Sequence, residues 1–308
     1  MMNYEYTANN NLVVKKRKKK NNYRTRFELA DWIMLIVLVI FALLIVLPFI
    51  NVLAISFTTP KGYADSPLLL FPNPFTWENY DTLITDGRIA VGFKTSGLFL
   101  IMAMPINLFL TTTVAYGLSR TGYPGRNAIL KLVVFTMLFS GGIVPLYLTV
   151  KSYGLIGSLW AVVLCEGINT FYMIIMLNFF QSLEVSLIES AKLDGAGEYR
   201  ILWNIVLPLS KPVLATVFLY YLVDRWNEWY YAMLMVRSTS KTPLQLVLRN
   251  IVLESQNLDN IVTESVELFT FSSGIKMGAV VVTVIPVMCI YPFLQKYFTK
   301  GIMLGAVK

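Results

Sequence analysis

The sequence predicts an all-α, polytopic membrane protein with six transmembrane helices. Three observations carry this. Of 308 residues, 56% are hydrophobic and only 14% charged, against about 25% charged in a soluble domain. Mean hydropathy is +0.60. The apolar residues cluster in runs of helix length, whereas a transmembrane barrel shows alternating segments of about ten residues.

A hydrocarbon core about 30 Å thick needs roughly 20 apolar helical residues. Trp32 to Pro60 is uncharged and forms the first span. It far exceeds the roughly 7–15 apolar residues of a secretory signal and lacks a small-residue cleavage site, so it reads as a retained helix. Thr95–Ser119 and Leu132–Val150 are uncharged as well. The fourth span, about Ser158–Phe179, holds Glu166; the fifth, about Pro212–Val236, holds Asp224, Arg225 and Glu228. Met277–Gln295 is the sixth.

The basic residues orient these spans. Lys15, Lys16, Arg17, Lys18, Lys19, Lys20, Arg24 and Arg26 precede the first run. With an even number of spans, 17 basic residues fall on the side of the termini and 8 on the other, a bias supplied by the N-terminal cluster. The positive-inside rule then places both termini in the cytoplasm. The expected organisation is a basic tail (1–30), a six-helix transmembrane domain (31–299) and a short C-terminal tail (300–308). Outer segments cover 61–94 and 237–276, and one long cytoplasmic loop covers 182–211. Trp77 and Tyr80 are candidates for the outer headgroup belt, and Leu244 to Val252 has the apolar spacing of a helix on the outer face.

Absence of histidine removes Ser-His-Asp and Cys-His catalysis and His-ligated metals. Cys165 and Cys289 support neither a disulfide framework nor a zinc site, so no metal site is expected. No G-x-x-x-x-G-K-[ST] pattern is present, so any ATP and its magnesium belong to another chain and no cofactor is expected on this one.

The long loop reads SLIESAKLDGAGEYRILWNIVLPLSKP. Ser186 and Glu189 fit a capping box opening a helix over Leu187–Asp194, and Gly195 is placed to end it in the left-handed conformation. A second helical stretch through Ile201, Leu202, Ile205, Val206 and Leu209 is expected to break at Pro208, with Pro212 opening the fifth span. By residue pattern alone this is a projecting hairpin, equally readable as an amphipathic interfacial element.

The charges inside spans are functional candidates by default. Glu166 either lines a solute path or makes a structural hydrogen bond to a neighbouring helix. Asp224 and Glu228, four apart, are expected on one face, with Arg225 in reach of Glu228. With Asn227 they form either a self-neutralising cluster or the lining of a path. Trp226, Trp229, Tyr230 and Tyr231 suit sugar stacking or an interfacial belt.

The loop resembles the EAA motif of ABC-importer permeases at Glu189, Ser190, Ala191, Gly195, Ile205, Leu207 and Pro208, with Ser190 replacing the middle alanine. Asp194 and Ala196 complete the L-D-G-A form of the sugar-uptake branch. Ala115–Arg126, Phe75–Tyr80, Trp226–Met233 and the tail Lys300–Lys308 are also similar to maltose-type permeases, and the resemblance runs from Phe75 to the end. It implies a type I ABC importer permease fold and a subunit similar to the smaller maltose permease. It implies a second permease subunit, two ATPase subunits and an extracytoplasmic solute-binding protein as partners, a carbohydrate in oligosaccharide form as cargo, and the bacterial inner membrane as location. It also implies that the loop couples to the ATPase and that Gly301, Gly305 and Lys308 of the tail touch it. An ABC permease for a non-sugar solute is the nearest alternative. An ion-coupled secondary transporter is disfavoured because no paired repeats with broken helices are visible. The chain itself is expected to be no enzyme.

If both termini face inside, cysteines at Asn10 and Val307 will resist an impermeant thiol reagent in intact cells; labelling of either overturns the six-span topology.

Overall fold

The computed structural model describes residues 29–66, 68–122, 124–261, 273–290 and 292. The basic N-terminal cluster and the tail residues Gly301, Gly305 and Lys308 lie outside the described residues. Two compact units are present, residues 1–48 and 49–308. In the first, the described part is the apolar beginning of helix α1 (Leu29–Ser56), with Pro48 at its end.

The second unit is helical, with one isolated bridge between Thr58 and Phe75 among the described residues. After α1 come two short helices, α2 (Pro60–Asp65) and α3 (Glu78–Asp86). Helix α4 (Arg88–Ser119) follows, then α5 (Arg126–Leu138) and α6 (Ile143–Ser152). Next are α7 (Leu159–Cys165), α8 (Thr170–Gln181) and α9 (Val185–Leu193). Helix α10 (Glu198–Ile201), a π turn (Leu202–Val206) and α11 (Leu207–Leu209) run on into one another. Helices α12 (Lys211–Trp226), α13 (Tyr230–Met235), α14 (Leu244–Ile261) and α15 (Ser273–Ile290) complete the described chain.

Among the described residues, three helices are long and apolar enough to cross a membrane: Ala30–Ser56, Arg88–Ser119 and Ser273–Ile290. Bent pairs raise the number to as many as six. The expected spans three and four are therefore not straight. Span three turns through 115° between α5 and α6, where Gly142 takes φ +86°. Span four turns through 49° between α7 and α8. There Asn169 caps α8, its Oδ1 accepting from the amides of Phe171 (3.0 Å) and Tyr172 (3.3 Å). The expected fifth span is interrupted too, at Asn227–Trp229 between α12 and α13. Span two is longer than its uncharged stretch, since α4 begins at Arg88 and takes in Lys94.

Helix α4 contributes to every apolar cluster. Ala115, Tyr116 and Leu118 pack with Met176, Phe180, Ile188, Ile201, Val213 and Val217 at one end. Phe99 and Ala103 meet Val162, Ala232 and Met235 in the middle. Ile89 joins Leu83, Leu244, Val247 and Ala279 at the other end. The helix expected around Leu244 is present and longer than its apolar core. It seats against α4 where Gly92 has no side chain, since a Cβ there would lie 3.0 Å from the Leu244 Cα.

The break in span four is held by side chains from two neighbours. A helix interrupted in an apolar layer leaves backbone groups that water cannot serve. Asn107 of α4, fully buried, donates from Nδ2 to the carbonyls of Glu166 and Gly167, both at 2.8 Å. Its Oδ1 accepts from Arg225 Nε of α12 at 3.1 Å. Arg225 also donates to the Glu166 carbonyl and ion-pairs with the Glu166 carboxylate. The Tyr221 hydroxyl accepts from the Asn169 amide at 2.9 Å and bonds the Thr111 hydroxyl at 2.6 Å.

Replacing Asn107 by Leu orphans the Gly167 carbonyl and the Arg225 Nε donor, each at a cost of about 1–3 kcal/mol, and leaves the Glu166 carbonyl to Arg225 alone. The purified Asn107→Leu protein should therefore unfold at a markedly lower temperature than Thr113→Val, which loses only bonds to its own helix. Equal melting temperatures in fluorescence-detected size exclusion would show that the network is not a stabilising one.

Candidate functional site

The EAA-like residues lie on a folded knob between α8 and α12. Helix α9 ends in a Schellman motif: the Ala196 amide donates to the Ala191 carbonyl at 2.9 Å and the Gly195 amide to the Lys192 carbonyl at 3.0 Å. Gly195 has φ +78°, the left-handed turn its position in the sequence predicted. Ala191 is buried and Ala196 packs against the same apolar cluster. Glu189, Ser190, Asp194 and Gly195 are exposed.

The capping box is not formed. Helix α9 begins two residues earlier than expected, at Val185 after Glu184, and no side chain caps its amides. Ser186 Oγ instead lies 3.4 Å from Glu184 Oε2. Glu189 makes no hydrogen bond or ion pair among the described residues, so its carboxylate is fully available at the surface. A start at Val185 turns Ile188 and Ala191 together toward the core.

Pro208 does not break the second stretch. The π turn Leu202–Val206 precedes it, and helical bonding continues to Ser210, whose amide reaches the Val206 carbonyl at 2.9 Å. A π turn spaces the backbone more widely ahead of a residue with no N–H to give. The chain bends by 83° between Leu209 and Lys211 instead. Ile205 and Leu207 are half-buried against the core, while Pro208 is exposed.

Sequence reasoning missed Glu198. Its Oε2 accepts from the Tyr116 hydroxyl of α4 at 2.5 Å, its Oε1 pairs with Lys192 Nζ at 2.7 Å, and Arg120 Nε stands 3.8 Å away. The Arg120 guanidinium lies 4.2 Å from the centroid of the Tyr116 ring. One carboxylate thus joins both halves of the knob to the end of α4. The bonds from Lys192 and Tyr116 hold its pKa below the ordinary carboxylate value. Nothing local marks an acid in a helix's first turn as such a clamp, because Tyr116 is 82 residues away.

The intramembrane candidates separate. Glu166 and Arg225 belong to the network at the break, Arg225 being buried and Glu166 largely so. Asp224 and Glu228 do not share a helix face, since α12 ends at Trp226. Asp224 is exposed and accepts from the Tyr172 hydroxyl at 2.6 Å. Glu228 is buried and its carboxylate does not hydrogen-bond the Arg225 guanidinium; its Oε1 accepts from the Tyr231 amide at 2.7 Å, capping α13. Asn227 ends α12, donating to the Val223 carbonyl at 2.9 Å. Of the aromatic run, Trp226 packs near Phe93, and the exposed Trp229 carries Arg249 over its ring at 4.9 Å.

The fold and the knob define a polytopic helical membrane protein whose loop between the fourth and fifth spans is a folded, exposed helical element. Comparison with known proteins supplies the family. The chain is 42% identical over 288 residues to the polygalacturonan/rhamnogalacturonan transport system permease protein YtcP of Bacillus subtilis (strain 168), covering 91% of this chain and 99% of that one. It is 40% identical to Protein LplC of the same organism over 85% and 89% of the two chains. In structure it matches a bacterial ABC transporter that imports the acidic polysaccharide alginate. That match has a TM-score of 0.80, 27% identity and coverage of 90% of this chain and 99% of that one. No protein-family model matches. The chain belongs to the family of carbohydrate ABC-transporter permeases, and it is a transport subunit and not an enzyme.

Removing the Glu198 carboxylate should loosen the knob without unfolding the core. Amide hydrogen exchange across 195–201 should rise about five- to tenfold in Glu198→Ala at neutral pH, the exposed pair being worth about 1 kcal/mol. Because the folded pKa is depressed, the clamp is complete above the unfolded value and is lost as pH falls through the lowered one. The difference between variant and wild type should vanish in that acid range.

Proposed function

We propose that this chain is one half of a heterodimeric sugar-translocating pore, powered by two ATPase subunits and supplied by an extracytoplasmic binding protein. The cargo is a carbohydrate of oligosaccharide size, and both termini and the knob lie in the cytoplasm. The observation that carries the reading is the knob itself. A Schellman-terminated helix bearing an unpartnered surface carboxylate at Glu189 is packed through Ile188, Ala191 and Ile201 onto α4, α8 and α12. A rigid body so connected passes a push from an ATPase groove to several membrane helices at once. The named cargoes of the relatives, polygalacturonan and rhamnogalacturonan for one and alginate for another, support the carbohydrate class.

Within this reading Ala191 lets backbones approach, Gly195 sets the turn, and Glu189 offers a charge to the ATPase. A Cβ at Gly195 meets nothing within 4 Å, so the cost of Gly195→Val is the positive φ alone. That cost is about 1–3 kcal/mol, enough to misdirect the knob but not to unfold the core. Glu189→Lys reverses the exposed charge. Both variants should reach the membrane at near-normal levels, co-purify poorly with the ATPase and take up little or no labelled sugar. Wild-type uptake in both would remove the loop as the coupling element.

A further inference from the structure

Resting on the reading of this chain as a sugar permease, we infer that Thr216, Tyr220 and Asp224 of α12, with Asn227 at its C-terminal cap, line a water-filled solute path that favours uncharged hydroxyl groups and disfavours anionic ones. The first three residues repeat every four positions and share one sector of the helix; Asn227 is the cap at which α12 ends, just past them. That sector lies beside the buried one formed by Val217, Tyr221 and Arg225. Tyr172 of α8 borders it, its ring stacked on Tyr220 with centroids 5.2 Å apart and planes 23° apart, and its hydroxyl on Asp224 at 2.6 Å.

Depth decides what the sector faces. Asp224 is 13 residues beyond Lys211, which places it roughly 20 Å along the helix from the loop end. A bilayer core is only about 30 Å thick. An exposed carboxylate there, with Tyr172 as its hydrogen-bond partner among the described residues, cannot face lipid at tolerable cost. It faces water or another polar surface. The neighbouring cation does not neutralise it from the same side, because Arg225 turns inward to Glu166 and Asn107. The sector therefore carries a net negative charge together with two hydroxyls and an amide. Carboxylate and hydroxyl oxygens accept from sugar hydroxyls, and the outer face of an aromatic pair suits a sugar ring, whereas a uronate carboxylate meets like charge. The expectation for Trp226 to Tyr231 as the stacking residues is thereby moved to Tyr172 and Tyr220.

The test uses the assembled importer in proteoliposomes, with Cys165→Ala and Cys289→Ser as background. Single cysteines at Thr216 and Tyr220 are treated with a permanently cationic (trimethylammonium-ethyl) or an anionic (sulfonatoethyl) methanethiosulfonate, in resting and vanadate-trapped states. Both sites should react in at least one state. The cation-to-anion rate ratio at Tyr220→Cys should be about ten times higher with Asp224 than with Asp224→Asn; ratios cancel any change in thiolate fraction. Should Asp224→Asn fail to assemble, the ratio at Tyr220→Cys should still exceed that at Thr216→Cys, about one turn further from the charge. Cysteines inert in every state, as lipid or a partner subunit would make them, overturn the inference, as does a ratio indifferent to both Asp224 and distance. Absence of vanadate trapping in the cysteine-free parent would instead strike the ABC reading itself.

Discussion

The structure depends on serving a stretch of bare backbone inside an apolar layer. Glu166 to Asn169 leave the helix where no water is at hand, and the chain answers with Asn107, Tyr221 and Arg225. These come from α4 and α12, so the repair of one helix fixes the positions of three. Arg225 is affordable only because Glu166 meets its charge and two oxygens meet its other donors. The central position of α4 follows, since the helix that carries Asn107 also supplies residues to each apolar cluster.

At the loop end the same helix anchors the knob by different means. Tyr116 gives its ring to Arg120 and its hydroxyl to Glu198, while Ala115 and Leu118 fill the apolar floor. The knob is thus fixed at its base by packing and at its side by a polar clamp. Its outer surface, with Glu189, Ser190 and Asp194, is left unengaged. The coupling role proposed above would draw on this division between a committed underside and an uncommitted top.

Legibility in the sequence followed the range of the interactions. Gly195 was readable because a left-handed turn is a local demand that one residue type meets. Spans were readable because apolar runs are local as well. The breaks were not, although Gly142, Gly167 and Asn169 stood in the runs, because glycine and asparagine in an apolar segment mark a break only when a neighbour can serve the freed groups. Those neighbours, Asn107 and Arg225, are 59 residues away from Glu166 on either side. Pairing Arg225 with Glu228 failed for the same reason: spacing assumed a helix that ends at Trp226. Glu198 was invisible because its partner on α4 is distant. The capping box misled because Ser186 and Glu189 fit a pattern that the earlier start at Val185 made unavailable.

The asparagine at the break has a consequence for how such a chain can change over generations. Asn107 uses both amide hydrogens on two carbonyls and its oxygen on a guanidinium, all inside the protein. No other side chain of its size offers two donors and an acceptor in that arrangement. A substitution at 107, 166 or 225 taken alone strands at least one group that the others were serving. Drift at these positions therefore proceeds by paired replacement or not at all, while the surrounding apolar residues remain free to exchange methyl groups one at a time.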